Sequence, residues 1–479
     1  MPPRASLKTF LATARAALTA PASKRAAPLT FVVGNESADL DSLCSALLLA
    51  YFHTYAPPPS GKKHSVAGTL HIPICNLSRA DLALRPEFAA VLRDAEVHGD
   101  DVLTLEDVPE EATDWDWLLV DHNAMTGDLG KRFAARVVGC VDHHADEHVV
   151  PADAKLRVIE PCGSCASLVL EHCGEVWAAL RAENNSSAAE AEIDGTDASA
   201  SVSVRKIDAQ LSRLALAPIL IDTTNLRDSA KTTPRDTAAV AFAEAQISAY
   251  EQHHPNDDDN DGDGEGEGGE KGYDRDAFFA RIAALKEDIS EMSLRDVLRK
   301  DYKEWWIPSS SSTSTSSSTS SPSPINLGLG TSSVPQGFEY LLQNKADGDR
   351  KVLWNALENW GKEKDGEEGK RLDLVVLLTT FHDAQGRFSR ELLVYARGDQ
   401  GVRAAELFEE RCGEELGLGR WDEGALDSSP SKDGSDRSGG GSDNDVWCRC
   451  WTQRAVQHSR KQIAPMLRDA LAEVAGRRG

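Results

Sequence analysis

Several features that define particular protein classes are absent from this 479-residue chain. No stretch approaches the ~20 uninterrupted apolar residues of a membrane-spanning helix, so no such helix is predicted. No internal repeat of solenoid length is visible, which argues against a repeat protein. The nine cysteines are odd in number, and Cys44, Cys75 and Cys140 lie in apolar runs. This usage is typical of buried thiols in a reducing compartment and argues against a disulfide framework.

Positive charge is also scarce, because 52 Lys and Arg face 77 Asp and Glu, for a formal net charge of −25. Bulk charge therefore cannot attract an anionic ligand, and any anion-binding region must be local. Much of the acidity lies in low-complexity segments with few apolar residues, which are predicted to be disordered insertions. The acidic segments span about 183–206, 251–273 and 421–446, and an uncharged serine-rich segment spans about 308–324.

Short apolar runs, each followed by polar residues, predict buried β-strands in the first half of the chain. Between them lie segments with apolar residues at helical spacing. The alternation of strand and helix predicts an α/β fold with a doubly wound, mainly parallel sheet. The predicted strands are Leu29–Val33, Trp117–Val120, Val137–Val141 and Pro218–Ile221, and the predicted helices are Ser42–Tyr55, Leu82–Ala95 and Ser164–Leu180.

Residues that can ligate a metal ion stand where these predicted strands end. Because the carboxyl ends of parallel strands form one crevice, we expect their side chains to converge. Oxygen and imidazole ligands suit magnesium, manganese or cobalt, and two such ions roughly 3.5–4 Å apart can activate water and neutralise phosphoryl charge. For any one residue the competing interpretation is a helix N-cap or a surface role. The candidate ligands are Asn35, Asp39, Asp41, Asp121, His143 and Asp222.

Ordered motifs give the chain a family resemblance. Gly34–Ser42 resembles the first motif of the fungal cytosolic exopolyphosphatases, and Asp142-His143-His144 resembles the naming motif of their DHH phosphoesterase superfamily. Leu298–Lys303, Gly328–Val334 and Ser459–Pro465 resemble the DHH-associated C-terminal domain, which family II inorganic pyrophosphatases and prune-type phosphatases share. The resemblance implies a second, smaller α/β domain. It also implies an exopolyphosphatase that uses two divalent metal ions, Mg²⁺ or Mn²⁺, to release orthophosphate from inorganic polyphosphate.

The resemblance also implies roles for the candidate ligands, position by position. Asp39 would ligate one metal ion and Asp41 the other, and Asp121 would bridge both. His143 and Asp222 would complete the second metal site.

Substrate contacts are implied in the same way. Asn35 would stand at the first metal site, where family II pyrophosphatases have histidine, and His144 would contact phosphate. In the C-terminal domain, Lys303, Arg460 and Lys461 match phosphate-binding positions, where arginine gives bidentate recognition and lysine a point charge. The competing interpretation of Arg460 and Lys461 is a basic helix start on a solvated surface. The implied catalytic residues are Asp121, His144, Lys303 and Arg460.

Two other functions stay open at this stage. One is an inorganic pyrophosphatase or prune-like phosphatase on the same scaffold, and the other is a regulator that binds polyphosphate without turnover. The intact ligand set argues against the regulator. Polyphosphate is the expected partner, without nucleic acid or a membrane, and the protein is expected to be a monomer. The predicted parts are a leader helix at 1–28, a metal-binding catalytic domain at 29–250, an acidic linker at 251–273 and a phosphate-binding domain at 274–479.

The N-terminal segment supports two interpretations. It is basic and alanine-rich, with no acidic residue before Asn35, and so resembles a mitochondrial transit peptide. Alternatively, Leu7–Leu18 forms a helix that packs on the first domain, as in cytosolic exopolyphosphatases. The second interpretation is favoured, and the expected location is the cytoplasm.

Overall fold

A computed structural model describes the chain over two compact units, which lie within Met1–Lys286 and Glu287–Gly479. Each unit has its own β-sheet. The central parts of the predicted linker and of two predicted insertions, at 253–271, 309–325 and 430–445, lie outside the described residues. The described residues are 4–21, 29–56, 69–110, 115–194, 199–252, 272–308, 326–366, 370–429 and 446–476.

Five parallel strands form the sheet of the first unit. They are β1 (Thr30–Val33), β2 (His71–Ile74), β3 (Asp116–Val120), β4 (Val137–Asp142) and β5 (Leu156–Ile159). Their order across the sheet is β2-β1-β3-β4-β5. Along β1, Val32 packs in one hydrophobic core, while Phe31 and Val33 pack in another. The sheet is therefore covered on both faces, which confirms the predicted α/β fold with a parallel sheet.

The helices of the first unit cover this sheet. They are α1 (Leu7–Thr19), α2 (Leu40–Tyr55), α3 (Pro86–Asp94), α4 (Gly127–Phe133), α5 (Cys165–Asp194), α6 (Ser199–Asp222), α7 (Pro234–Glu251) and α8 (Arg275–Glu287). Helix α2 packs against β1, β2, α5 and α6 and is buried along almost its whole length, as expected of a helix that is apolar all round. The helix predicted from Leu82 instead begins at Pro86, which takes its first position, after a separate 3-10 turn at Arg79–Leu84.

The predicted N-terminal helix is confirmed as α1. Its residues Leu7, Phe10 and Leu11 are buried in the same core as α2. The ring of Phe10 lies edge-on to Tyr51 of α2, with centroids 5.4 Å apart. Helix α1 is thus an integral part of the first unit's core.

One predicted strand is wrong, because Pro218–Ile221 forms the last turn of α6. A four-residue apolar run suits a buried strand or a buried helix equally well. Upstream, Leu211, Leu214 and Ala215 are fully buried and extend the apolar pattern at helical spacing. Asp222 therefore stands at the end of a helix, whereas Asp121 and Asp142 stand at strand ends.

Two predicted insertions also differ from the structure. The backbone is helical in α5 through Asp194 and in α6 from Ser199, inside the segment predicted to be disordered at about 183–206. Alanine and serine are the commonest residues of this segment, and alanine has the highest helix propensity. At the start of the other segment, predicted at about 421–446, Trp421 and Leu426 are buried in the second unit's core. Because the segment contains few apolar residues overall, its composition did not indicate that these two residues are buried.

The first unit extends beyond the predicted domain boundary. Helix α8 lies after the predicted 251–273 linker, yet its residues Phe278 and Ile282 are buried in the core of the first unit. The division between the units therefore falls after Lys286.

A mixed sheet forms the centre of the second unit. Its strands are β6 (Tyr302–Pro308), β7 (Asn326–Val334), β8 (Lys370–Thr379), β9 (Phe381–His382), β10 (Phe388–Ala396), β11 (Leu418–Arg420) and β12 (Trp447–Gln453). The order is β11-β12-β10-β8-β7-β6, with β9 paired to β10, and only β7 and β8 run parallel among these pairs. Alternate residues of β8 pack in separate cores, so this sheet is also covered on both faces.

The helices of the second unit complete a smaller α/β domain, as predicted. They are α9 (Leu294–Lys300), α10 (Phe338–Lys345), α11 (Arg350–Lys364), α12 (Gly398–Cys412) and α13 (Arg460–Gly476). Across the residues that the structure describes, none of the helices in either unit has the length and apolar character needed to span a membrane.

Candidate metal centre

The loop between β1 and α2 has a tightly constrained backbone. A Cβ at Gly34 would lie 2.5 Å from the Cβ of Ser42, so this position requires glycine. Ala38 has a φ of 44°, a conformation that is costly for a residue with a side chain. Asp39 is the N-cap of α2, and its Oδ1 accepts a hydrogen bond of 3.0 Å from the backbone N–H of Ser42. The loop thereby delivers Asp39 and Asp41 to the start of α2.

Asp121, immediately after β3, contacts several of the other predicted ligands and their neighbours. Its side chain is 3% exposed, and its backbone is also in the left-handed region, with a φ of 60°. Oδ2 accepts hydrogen bonds from Ser42 Oγ at 2.7 Å and from Asn35 Nδ2 at 2.8 Å, while Oδ1 lies 3.1 Å from His143 Nε2. Burial alone would raise the pKa of Asp121, but the hydrogen bonds from His143 and Ser42 and the charges of His143 and His144 together lower it.

The orientation of the Asn35 amide differs from the prediction that it ligates a metal. Asn35 Oδ1 accepts a hydrogen bond of 2.9 Å from the backbone N–H of Ser37. The amide nitrogen must therefore face Asp121, and it donates to both Asp121 Oδ2 and the Asp121 carbonyl. An amide N–H₂ group has no lone pair available for a metal ion. In this arrangement Asn35 orients Asp121.

His143 follows β4 and presents a lone pair to two carboxylates. Its Nδ1 lies 3.0 Å from the carbonyl oxygen of Cys162. Because a carbonyl only accepts hydrogen bonds, Nδ1 carries the proton of the neutral ring and Nε2 carries the lone pair. Nε2 lies 3.1 Å from Asp121 Oδ1 and 4.0 Å from Asp41 Oδ2. Such a group of lone pairs requires a cation, either a proton on Nε2 or a metal ion.

The neighbouring residue His144 is held by a buried carboxylate. Its Nδ1 lies 2.8 Å from Oδ1 of the fully buried Asp142, whose Oδ2 accepts a hydrogen bond of 2.6 Å from Asn123 Nδ2. The same nitrogen is 3.6 Å from Asp121 Oδ1. Since the His144 side chain is 28% exposed, the ring contacts the buried cluster on one side and solvent on the other.

Asp41 is fixed by the start of α5. Its carboxylate accepts hydrogen bonds from the backbone N–H groups of Cys165 at 2.6 Å and Ala166 at 2.9 Å, and from Ser164 Oγ at 2.8 Å. A carboxylate at a helix N-terminus satisfies N–H groups that have no partner within the helix. Burial raises the pKa of Asp41 well above its ordinary value, and the nearby carboxylate of Asp121 acts in the same direction.

Asp222 joins the same electrostatic environment from the end of α6. Burial raises its pKa to about 6, and the charges of Asp39 and Asp121 also raise it, whereas Lys286 and His143 oppose the rise. A carboxyl with a raised pKa among other carboxylates is a group that a cation would stabilise in its charged form.

Taken together, the donor set fits divalent metal ions. Among the described residues, one group of three metal-ligating side chains has ligand atoms within 4.8 Å of one another: Asp121, His143 and His144. The carboxylates of Asp41 and Asp222 interact through their charges with Asp121 and His143. The carboxylate of Asp39 interacts in the same way with those of Asp41 and Asp222. An oxygen-rich set with imidazole suits hard or borderline cations.

The basic residues predicted to bind phosphate, Lys303, Arg460 and Lys461, lie in the second unit. Arg460 begins α13, and its guanidinium donates to the carbonyl of Asp301 at 2.9 Å and to Asp301 Oδ1 at 2.8 Å. Lys303 lies two residues after Asp301, on β6, where it pairs with Thr331 of β7. The structure thus places Arg460 beside the segment that carries Lys303. Lys461 is exposed at the start of α13.

Comparison with protein families assigns both units. Residues 30–196 match the model described as "DHH family, N-terminal domain", and residues 280–470 match the "DHHA2 domain". The chain belongs to the DHH family. The first match contains the β-sheet with Asp121 and His143, and the second contains Lys303 and Arg460. Asp222 and α7 lie beyond the end of the matched DHH segment.

Curated relatives of this DHH protein have related names. Over 468 residues it is 27% identical to a Schizosaccharomyces pombe protein named "Putative exopolyphosphatase", a match that covers 96% of this chain and 95% of that protein. The Mus musculus protein named "Exopolyphosphatase PRUNE1" is 26% identical over 305 residues, which cover 62% of this chain and 53% of the relative. The Homo sapiens protein of the same name is 24% identical over 306 residues, with the same coverage. The match therefore spans about half the length of these two PRUNE1 proteins.

Sequence reasoning missed Asp236, a residue of α7 that holds a loop beside the candidate metal centre. Its buried carboxylate accepts hydrogen bonds from the backbone N–H groups of Gly163 at 2.9 Å and Ser164 at 3.3 Å, and from Ser167 Oγ at 2.7 Å. It therefore fixes the loop whose Cys162 carbonyl orients His143. The available signal was a capping box, since Thr233 and Asp236 flank the first turn of α7.

Proposed function

We propose that this protein is an exopolyphosphatase that removes the terminal phosphate of inorganic polyphosphate as orthophosphate. The observation that carries the proposal is the convergence of His143 Nε2 with the carboxylates of Asp121 and Asp41. Support comes from the relative named "Putative exopolyphosphatase", which the chain matches over 96% of its length.

Two divalent metal ions, Mg²⁺ or Mn²⁺, are part of the proposal. When bound, such ions would supply an activated water and offset the negative charge of the phosphoryl group. Asn35, which was predicted as a ligand, is assigned instead to holding Asp121 through its amide N–H₂ group. The residues proposed to hold the ions are Asp39, Asp41, Asp121, His143 and Asp222.

His144 is proposed to contact the substrate and to act in proton transfer. Asp142 accepts the hydrogen bond from Nδ1, which leaves Nε2 as the ring nitrogen with a lone pair when the ring is neutral. A protonated Nε2 would donate to a phosphate oxygen, and the hydrogen bond to Asp142 would stabilise the charged ring.

The basic residues of the DHHA2 domain are proposed to bind the phosphate groups of the polyphosphate substrate. Asp301 restrains the Arg460 guanidinium through two hydrogen bonds, so less side-chain entropy is lost when it binds phosphate. Lys303 and Lys461 would add point charges. With a formal net charge of −25, attraction of a polyanion must depend on such local cations.

Phosphate release tests the proposal directly. Long-chain polyphosphate, tripolyphosphate, pyrophosphate and a cyclic nucleotide are each incubated with the protein and Mg²⁺ or Mn²⁺. We expect phosphate from both polyphosphates, with long chains shortened progressively from the end on a gel. Exclusive activity on pyrophosphate or short nucleotides would establish the pyrophosphatase or prune-like alternative. Tight binding of polyphosphate without any turnover would establish the regulator.

The cytoplasm is the location we propose. Helix α1 contributes Leu7, Phe10 and Leu11 to the core of the first unit. Removal of this helix as a transit peptide would expose the apolar surface of α2 that it covers. Detection of the intact N-terminus in the protein purified from its natural source would support this assignment, and a start after residue 20 would contradict it.

A further inference from the structure

Three histidines from three different elements meet away from the candidate metal centre. His53 lies near the end of α2, His71 begins β2, and His172 lies in the second turn of α5. The Nε2 atoms of His53 and His172 are 3.1 Å apart. The rings of His53 and His71 are edge-on, with centroids 5.1 Å apart. None of these residues takes part in the proposed hydrolysis.

The two Nε2 atoms have the spacing of ligands that share one ion. Imidazole nitrogens bind zinc at about 2.0–2.1 Å, so two of them 3.1 Å apart subtend an angle of about 100° at a common ion. This angle lies between the octahedral and tetrahedral values. The present contact is a hydrogen bond, in which one Nε2–H donates to the other Nε2. When the donating ring carries its proton on Nδ1 instead, both Nε2 atoms have a lone pair that a cation could bind.

The surroundings keep these rings neutral and restrain them. Burial lowers the pKa of His53 to about 3 and that of His71 to about 4, and it also lowers the pKa of His172. Metal ions bind the neutral imidazole, so a lowered pKa favours metal binding. His71 Nδ1 lies 3.0 Å from the carbonyl of Thr69, which fixes the ring that packs against His53.

We propose that His53 and His172 form a binding site for a late first-row divalent cation, of which Zn²⁺ is the probe of choice. Imidazole favours zinc, copper, nickel and cobalt, whereas Mg²⁺ prefers oxygen ligands. The site would join α2 to α5, and water would complete the coordination because His172 is exposed. It does not depend on the proposed exopolyphosphatase activity.

Zinc titration in excess Mg²⁺ tests the site. Isothermal titration calorimetry is performed on the wild type, on His172→Ala and on His53→Ala, with His98→Ala as a control for loss of an exposed histidine. We expect the wild type and the control to bind one more Zn²⁺ than either site variant, or to bind it at least tenfold more tightly. Equal stoichiometry and affinity in the wild type and His172→Ala would overturn the proposal.

Thermal unfolding supplies a second measurement, in which removal of His143 weakens zinc binding at the candidate metal centre. On a His143→Ala background, Zn²⁺ should raise the unfolding midpoint when His53 and His172 are present, because a ligand that binds the native state stabilises it. Adding His172→Ala should reduce the increase, because the candidate metal centre is identical in the two variants. His172 is exposed, so this substitution leaves the core intact. An unchanged increase would contradict the site.

Discussion

Asn35 donates a hydrogen bond of 2.8 Å from its side-chain amide to Oδ2 of Asp121. The opposite edge of the same amide accepts from the Ser37 N–H, so the orientation is determined by two partners. This relationship makes Asn35 a residue that positions the proposed bridging ligand. Its consequences differ from those of a ligand at the metal ion, and mutation distinguishes the two roles.

Asn35→Ala should weaken Mn²⁺ binding without abolishing turnover at saturating metal. A hydrogen bond to a charged group is worth about 1.5–3 kcal/mol, which corresponds to roughly a tenfold or greater rise in the Mn²⁺ concentration for half-maximal activity. Titration of activity and of Mn²⁺ binding checks this. Asn344→Ala in the DHHA2 domain controls for loss of an asparagine side chain. A loss of turnover as complete as that of Asp121→Asn would show that Asn35 is itself a ligand.

Asp121→Asn should abolish phosphate release while the fold survives. The amide has the size of the carboxylate, but it lacks the charge and one acceptor position that metal ions require. We expect a loss of about 10³-fold or more at saturating Mn²⁺, with near-native circular dichroism. The exposed Asp153 supplies the matched control, Asp153→Asn. Activity within a few-fold of wild type would refute the metal-centre assignment.

Asp236→Ala should weaken metal binding from a distance. Loss of a buried carboxylate that accepts several hydrogen bonds costs about 2–4 kcal/mol of stability, and it releases the loop that orients His143 and Asp41. Mn²⁺ affinity, measured by calorimetry well below the unfolding midpoint, should fall at least several-fold. Asp236→Asn, which keeps one acceptor oxygen, should restore part of the affinity.

The control for Asp236 is Asp296→Ala, which removes the equivalent capping-box carboxylate of α9 in the other unit. It should lower the free energy of unfolding by about 1 kcal/mol and leave Mn²⁺ affinity unchanged. Equal Mn²⁺ affinities of Asp236→Ala and the wild type would show that Asp236 only caps α7 and does not affect metal binding.

Arg460→Ala should raise the KM for tripolyphosphate, with little change in the Mn²⁺ concentration required. The substitution removes a restrained guanidinium that offers charge-assisted hydrogen bonds to phosphate. Lys461→Ala should have a smaller effect of the same kind, because an exposed ammonium is strongly hydrated. Arg468→Ala on the same helix is the control. Equal kinetic constants for Arg460→Ala and the wild type would exclude the phosphate contact.

Asp222 should make stability depend on pH when metal is removed with EDTA. Its folded-state pKa of about 6 lies above the ordinary aspartate value of about 3.9, so folding favours the protonated form. Its contribution is complete below about pH 4 and is lost as pH rises through about 6.

Urea unfolding from pH 4 to 7 tests this dependence. Relative to Asp222→Asn, the free energy of unfolding of the wild type should fall by about 1–3 kcal/mol as the pH rises from 4 to 7. Saturating Mn²⁺ should reverse the loss, because the cation stabilises the charged carboxylate. A difference that does not vary with pH would place Asp222 outside the cluster.

The sequence predicted the features that depend on local pattern. Apolar runs located β3 and β4, and the polar residues after them, Asp121 and His143, meet because the strands are parallel neighbours. The same reasoning failed for Pro218–Ile221, since four apolar residues do not distinguish a strand from the end of a buried helix. Asp222 nevertheless reaches the cluster, because α6 ends beside it.

Other features depend on contacts that no local pattern contains. The orientation of Asn35 is decided by which edge of the amide faces Ser37, and composition does not encode this choice. Asp236 contacts Gly163, which lies 73 positions earlier in the chain. Asp41 reaches Cys165 across 124 positions, so its second role as an acceptor for the start of α5 was not foreseeable from the β1–α2 loop.

The contact of Asp41 with α5 also has a kinetic consequence. Contacts at such long sequence separation form late and slow the folding of a chain, because the entropy of closing the intervening loop must be lost first. In a nascent polypeptide, α2 exists long before α5 has been synthesised, and until then its first turn is an acidic patch without its N–H partners. Cation capture through Asp41 would therefore require that α5 has been synthesised and has docked on α2.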